Sequence, residues 1–418
     1  MTRENATTVL VVGAGPVGLF TALELARRGV DVYISDPDRL TKNYSYGLAL
    51  HPETLELLDD AGVSGEVIAE GLVVNRVAFY SGRERVAEIR LGDLMRRFPF
   101  LVTIPQSALE RILERRLREL GVKVAWNRRA AEIRMDAGGI TTRLDRLDDV
   151  GTGYPYMRFE RTVTGSSTIT SRYVVGADGY HSFVRESMHE EYRTMGPRET
   201  YCLFEFESAG KDDRAREAAV AFHGDTANVL WPLPENRNRW MFQVPEGEDA
   251  PLTAEMMRRL LDERAPWYRG EAIEITWRAI VEFEPRLVQH FGSGATWLAG
   301  DAAHLTGPIG VQSMNIGLRE GRDIAHAIAG AAGGGAGAGG GGAPASALDG
   351  YARERLREWN RLLGVEGQLE ARGDAPAWAR DRRQRMASLI PASGRDLLEL
   401  LGRLGLGWSG AGEARAGG

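Results

Sequence analysis

The chain contains a single cysteine, Cys202, in 418 residues. A lone thiol forms no intrachain disulfide and cannot supply the redox-active cysteine pair on which one large class of reductases depends. Lysine is almost as scarce. Only Lys42, Lys123 and Lys211 occur, so arginine carries nearly all the positive charge. The net charge of −6 argues against nucleic acid as the main partner, because neutralising phosphates needs a basic surface. No apolar run approaches the roughly 20 residues of a membrane-spanning helix. The stretch from Met1 to Thr8 is polar and unlike a secretory leader. These absences predict a cytoplasmic protein with no membrane span and no metal centre, a monomer or homodimer. Its 43% hydrophobic content suffices for a large core in two or three domains.

Residues 9–13, Val-Leu-Val-Val-Gly, form a short continuous apolar run, as a buried parallel strand requires. Leu19, Ala22, Leu23, Leu25 and Ala26 then follow helical spacing, Gly29 stops the helix, and Val30–Ser35 is strand again. This is a βαβ unit. Its turn reads Gly13-Ala14-Gly15-Pro16-Val17-Gly18. In such a turn the first glycine permits the tight bend, the second lets backbone N–H groups approach a pyrophosphate, and the third lets helix and strand pack closely. The helix start adds unpaired N–H donors and a partial positive charge. Asp36 ends the second strand, where a carboxylate can accept from a ribose hydroxyl pair and disfavours a 2′-phosphate. FAD or NAD therefore fits this turn better than NADP.

Two further strands end in an aspartate turn. One reads Val174-Val175-Gly176-Ala177-Asp178-Gly179, followed by Ser182 and Arg185. The other reads Trp297-Leu298-Ala299-Gly300-Asp301-Ala302-Ala303-His304 and continues through Pro308, Gly310, Val311 and Asn315 to Gly317. Between them, residues 199–245 are rich in strand formers and predict an antiparallel sheet. Ser107–Leu120 has the apolar stripe of an amphipathic helix, and 136–172 reads as a β-ribbon. Leu252–Ala265, 313–330, Tyr351–Arg372, Arg380–Leu389 and Gly394–Leu404 read as helical.

With these three motifs in this order, residues 8–330 resemble the class A FAD-dependent monooxygenases, the para-hydroxybenzoate hydroxylase-like family. The resemblance implies a Rossmann-like α/β FAD-binding domain and an antiparallel-sheet (α+β) substrate domain, to which the helical readings beyond residue 347 add C-terminal helices. It assigns 1–75, 97–190 and 288–330 to the first, and 76–96 with 191–287 to the second. A flexible Gly-rich loop over 331–347, helices over 348–408 and a disordered tail over 409–418 follow. It implies that Gly13, Gly15, Pro16, Val17 and Gly18 cradle the FAD pyrophosphate and that Asp36 holds the adenosine ribose. It places Gln106 and Arg111 near the cofactor and gives Asp178 to a motif serving both FAD and NAD(P)H. Gly300 and Asp301 would bind the ribityl region, and Pro308, Gly310, Val311 and Asn315 would flank the isoalloxazine.

The chain departs from the family in several places. It has Glu53 where an arginine is common, no arginine in Asn43-Tyr44-Ser45-Tyr46-Gly47, Ile309-Gly310-Val311 where two glycines are common, and Glu320 where aspartate is common.

The implied activity is hydroxylation of a small aromatic, phenolic or polycyclic substrate with O₂ and NADPH or NADH, through a C4a-hydroperoxyflavin, in natural-product tailoring or aromatic catabolism. A phenol reacts better as its phenolate, which makes His223 a candidate base and Pro308 a candidate active-site residue. Phe204, Phe222 and Trp231 are candidates for the pocket wall, although alternation allows only half of such residues to face it. The competing readings are an FAD-dependent reductase acting on an isoprenoid-type chain, a flavin-dependent halogenase, and a non-catalytic FAD-binding module. None of the three lysines sits in a segment suited to halogenation.

Overall fold

The computed structural model describes residues 6–40, 49–136, 139–152, 158–209, 217–247, 251–333 and 343–409. The Asn43–Gly47 departure and most of the Gly-rich loop and the C-terminal tail lie outside them.

Five strands run parallel in the first sheet, in the order Thr296–Leu298, Arg158–Gly176, Ala6–Val12, Val32–Ser35 and Val124–Ala125. Val9, Leu10, Val11, Ile34, Val174 and Val175 are fully buried, which explains why these strands read as apolar runs without alternation. Arg158–Gly176 belongs to two layers. Its first part pairs antiparallel with Gly139–Thr152, which pairs in turn with Arg128–Asp136. From Thr170 onward it pairs parallel with Ala6–Val12. The expected ribbon is thus three-stranded and grows directly out of the parallel sheet. Helices Pro16–Arg27, Gln106–Glu119 and Gln312–Gly333 pack beside this sheet.

The second sheet has seven strands, in the order Glu271–Phe283, Glu199–Ala209, Arg237–Val244, Thr226–Leu233, Ala218–His223, Arg76–Ser81 and Glu84–Arg90. One face carries Phe204, Phe206, Trp240 and Phe242 against helix Ala254–Arg264 and against Trp267 and Tyr268. The other face carries Phe79, Tyr201, Leu203, Phe222, Trp231 and Met241 against Ile309, Val311 and the C-terminal segment.

That segment departs from the expected helix over Tyr351–Arg372. Helix Ala343–Leu362 stops before Gly364 and Gly367, which take φ of +72° and +77°, conformations that favour glycine and break the helical path. Leu369–Ala371 then pairs with Leu406–Trp408, closing a loop of helices Ala377–Asp381, Arg383–Leu389 and Gly394–Arg403. Leu397, Leu400 and Leu401 give the last of these a buried face. No helix among the described residues is long and apolar enough to cross a membrane.

Candidate active site

The three aspartate-bearing turns lie at the C-terminal ends of neighbouring strands and touch one another. Gly13 N–H donates to Ser35 O at 2.8 Å, Ala177 N–H to Val12 O at 2.8 Å, and Ala299 N–H to Gly176 O at 3.0 Å. Gly13, at φ +104°, backs onto the second turn, where a Cβ would lie 2.6 Å from the Ala177 carbonyl carbon. A Cβ on Gly18 would lie 2.9 Å from the Gly13 carbonyl carbon. On the third motif, a Cβ on Gly317 would come within 2.8 Å of Val17 Cγ2, and one on Gly321 within 2.6 Å of Thr21 Oγ1. Glycine is thus required at Gly13, Gly317 and Gly321 by contact between motifs far apart in the chain, and at Gly18 by contact within its own turn.

Side chains complete the junction. Asp36 Oδ2 accepts from Ala14 N–H at 2.7 Å and Oδ1 from Asp38 N–H at 2.8 Å, so its carboxylate spans strand end and glycine turn. Asp178 accepts from Ser182 Oγ at 2.5 Å and Val184 N–H at 3.1 Å; burial raises its carboxyl while these donors pull it down. Buried Arg185 donates to Tyr180 O at 2.8 Å and Ala302 O at 3.0 Å, tying the second turn to the third. It also lies 4.1 Å over the ring of Tyr192, whose hydroxyl donates to Asp301 O at 3.0 Å. Burial likewise raises the Asp301 carboxyl.

Beneath the third turn lies a buried polar cluster. Glu320 accepts from Gly300 N–H at 2.9 Å and from Trp359 Nε1 at 3.0 Å, and pairs with His304 Nε2 at 2.7 Å. Burial opposes the charge on Glu320, but His304 and the two N–H donors outweigh it, and the carboxyl is held below its ordinary value. His304 stacks on Trp359 with ring centres 3.8 Å apart. The glutamate found in place of aspartate therefore reaches a donor on the Ala343–Leu362 helix.

The Pro308–Asn315 loop is clamped from both sides. Asn315 Oδ1 accepts from His51 N–H at 2.8 Å, and its Nδ2 donates to Ala49 O at 2.9 Å and Val311 O at 2.8 Å. His51 Nε2 lies 3.0 Å from Gly310 O, and burial pushes the imidazole down to about 3. Gln312 Nε2 donates to Ala387 O and Ile390 O, both at 2.8 Å, anchoring the C-terminal segment. Val311 sits at φ +51°, left-handed backbone that a β-branched residue adopts only under strain. Glu53 pairs with buried Arg319 at 3.0 Å, and Arg319 also holds Glu358.

Beside this loop opens a cavity of about 370 Å³, bordered by Glu199, Tyr201, Thr306, Pro308, Ile309 and Arg385, with the C-terminal segment forming one wall. Glu199 accepts from Arg385 Nη2 at 2.9 Å, Gln243 Nε2 at 3.1 Å and Tyr201 Oη at 3.1 Å. A second cavity of about 350 Å³ lies across helix Arg383–Leu389 and includes Phe222 and Arg382. Its volume, like that of the first, falls in the range of small-molecule sites.

Several expected site residues lie elsewhere. Phe204 faces the opposite side of the seven-stranded sheet, within the Trp240–Phe242 cluster, because strand alternation turns it away from Tyr201 and Leu203. His223 is half exposed and stands 3.3 Å from Glu263, outside both cavities. Trp231 shares the face of Tyr201 but is buried as core, while Phe222 lines only the second cavity. Arg111 points to solvent and pairs with Glu70 at 2.7 Å. Gln106 is half-buried at its helix start and donates to Glu110 at 2.9 Å. Sequence reasoning missed Glu199, Tyr201, Arg385 and His51. The i, i+2 spacing of Glu199 and Tyr201 was the available signal, but nothing in the strand fixed which face met the loop.

Comparison with known proteins adds the following. A family model described as FAD binding domain matches residues 6–363. The 6-methylpretetramide 4-monooxygenase of Streptomyces rimosus is 29% identical over 367 residues, covering 86% of this chain and 61% of that protein. The chain thus spans about three fifths of this relative's length. Among solved structures, p-nitrophenol 4-monooxygenase PnpA from Pseudomonas putida DLL-E4 superposes with TM-score 0.72 at 21% identity, covering 96% of this chain and 97% of that one. A ternary complex of aklavinone-11 hydroxylase with FAD and aklavinone superposes with TM-score 0.69 at 24% identity, covering 95% and 74%. These superpositions establish a shared fold.

Proposed function

The chain belongs to the FAD binding domain family, and from that premise we propose that it is an FAD-dependent monooxygenase that hydroxylates a phenolic or polycyclic aromatic substrate with O₂ and NADH or NADPH. The residues fit the cofactor. The Pro16–Arg27 helix starts at Gly15 with no side-chain cap and no acidic residue in its first turn, and a Cβ on Gly15 would meet only open space. That combination suits a diphosphate. The buried Ser35 Oγ has no hydrogen-bond partner beside the same turn. Gly13, Gly15, Pro16, Val17 and Gly18 would hold the diphosphate, Asp36 a ribose, and Gly300 with Asp301 the chain leading to the ring. Pro308, Gly310, Val311 and Asn315 would flank the ring, and Asp178 would serve both dinucleotides.

Bound FAD supplies electron transfer from the nicotinamide and activation of O₂. The protein positions and encloses. The strained Gly310–Val311 turn, fixed by His51 and Asn315, presents its backbone beside the substrate cavity. The start of helix Gln312–Gly333 carries no acidic residue in its first turn, so its positive end suits a developing negative charge nearby. The C-terminal segment, anchored through Gln312 and Arg385, forms one wall of the cavity and limits water on that side.

The observation that carries this reading is the cavity bordered directly by the Thr306–Ile309 stretch of the third motif. The names of the relatives support a ring-shaped substrate. The test is NAD(P)H consumption by the purified yellow protein, anaerobically and in air, with and without a panel of phenols and polycyclic aromatics. The expected result is faster flavin reduction with some ring compounds and a hydroxylated product only in air. Reduction indifferent to every aromatic, with no oxygenated product, would contradict it.

A further inference from the structure

We propose that Glu199 is the proton acceptor for the phenol group of the substrate, a role resting on the hydroxylase reading above. Among the described residues lining the cavity it is the only carboxylate, and no histidine lines it. Its side chain is partly accessible there, at 24%. It also adjoins the third motif, since a Cβ on Gly307 would lie 3.5 Å from Glu199 Oε2.

The hydrogen bonds leave the carboxylate one acceptor position. A carboxylate oxygen offers two lone-pair directions. Oε1 uses both, for Arg385 Nη2 and Gln243 Nε2. Among the described residues Oε2 accepts only from Tyr201 Oη, at 3.1 Å, which leaves its second direction available. It is this oxygen that faces Gly307. Arg385 and Gln243 thus hold and orient the carboxylate, and they are positioning residues. Tyr201 cannot take the proton itself. Burial first, and Glu199 beside it, push its phenol well above the ordinary value and keep it a donor.

In the step, the substrate O–H bond breaks, its electron pair stays on the phenol oxygen, and the proton passes to Oε2. The ring becomes a stronger nucleophile toward the oxygen derived from O₂. When the hydroxylated ring regains aromaticity, the displaced ring proton leaves to solvent and Oε2 returns its proton to the phenolate oxygen. Glu199 ends as it began.

The experiment compares the FAD-loaded full chain with Glu199→Gln on phenols graded in acidity, from resorcinol and its alkyl derivatives to 4-nitrophenol. It reads both product formation and the rate of flavin reduction. The glutamine carbonyl can keep the Arg385 and Gln243 contacts while its amide N–H turns donor to Tyr201 Oη, and the side chain accepts no proton. The expected loss in kcat is about 10²–10⁴-fold on the least acidic phenols. It should shrink toward none for phenols already ionised in the buffer, and flavin reduction measured without any phenol reports whether the variant still carries a working flavin. A loss equal across the series, or no loss, overturns the role and leaves the hydroxylase reading standing. Wild-type protein that hydroxylates polycyclic aromatics but no phenol overturns the role alone, and wild-type protein that hydroxylates no aromatic overturns both. Should Glu199→Gln fail to fold, Glu199→Asp carries the same comparison, because it retains the charge yet withdraws the oxygen from the substrate.

Discussion

The two sheets of this molecule place their chemistry in different parts of the chain. At the parallel sheet the work falls to backbone: three turns joined through main-chain hydrogen bonds, with no room for a methyl group at Gly13 or Gly18. At the seven-stranded sheet it falls to side chains on one face, Glu199 and Tyr201, completed by Arg385 from a distant segment. The first arrangement tolerates little substitution, because a Cβ there meets backbone that cannot yield. The second can change residue by residue while the sheet stays intact. A sterically constrained cofactor frame beside a substitutable substrate wall suits one fold serving many substrates.

The sharpest way to break this contrast is at Gly13. Gly13→Ala combines left-handed backbone with a clash against Ala177, and a stability loss of about 4 kcal/mol or more is expected, with loss of bound flavin. Visible absorption of the purified variant reads the outcome, and retention of the yellow colour would show that the turns do not touch as described.

Next in size is the cluster under the third turn. Glu320→Ala leaves His304, Gly300 N–H and Trp359 Nε1 without their shared acceptor. Breaking a buried pair of this kind costs about 3–5 kcal/mol, measurable by denaturant unfolding. A cost under about 1 kcal/mol would mean that water or a neighbour replaces the carboxylate.

Near neutral pH a smaller effect is expected from His51, and it grows as the solution is acidified. Its folded-state value near 3 lies below the ordinary 6.5, so the unfolded chain binds a proton that the fold refuses. Stability should therefore be full above about 6.5 and fall as pH drops toward 3, by at most about 1.4 kcal/mol per pH unit from this group. His51→Gln, which can still donate to Gly310 O, should flatten that slope. An unchanged slope would assign the acid sensitivity to other groups.

The smallest effect is expected at His223, half exposed beside Glu263. His223→Ala should change turnover less than twofold and stability by less than about 0.5 kcal/mol. A large loss of activity would move the reacting centre to the far end of the sheet.

The same contrast decides what could be read from sequence. The glycine turns were legible because only glycine meets the geometry at Gly13 and Gly18, and their residues announce themselves in order: Gly13, Gly15, Gly18, then Asp36. The antiparallel sheet was legible as a run of strand formers, but not its phase. Phe204 and Tyr201 differ by three positions and so face opposite sides, and only Ile309 and Val311, far along the chain, show which side matters. The C-terminal segment showed helical spacing, yet Gly364 and Gly367 ended the helix before Arg372, and the pairing of Leu369–Ala371 with Leu406–Trp408 has no local signature. Glu320 stood out as a departure; its meaning required the position of Trp359. Arg385 could not be connected with Glu199 before folding, because 186 residues separate them.

The claim beneath all of this is that the turns at Gly13, Asp178 and Asp301 enclose one flavin together. Flavin content is best measured on the wild-type chain alongside Gly13→Ala, Asp178→Ala and Asp301→Ala, each verified as folded by circular dichroism. The account predicts a single FAD per wild-type chain and weakened or lost binding in every folded variant. A wild-type chain that stays colourless when supplied with FAD, or an Asp301→Ala variant that holds it as tightly as the wild type, would contradict it.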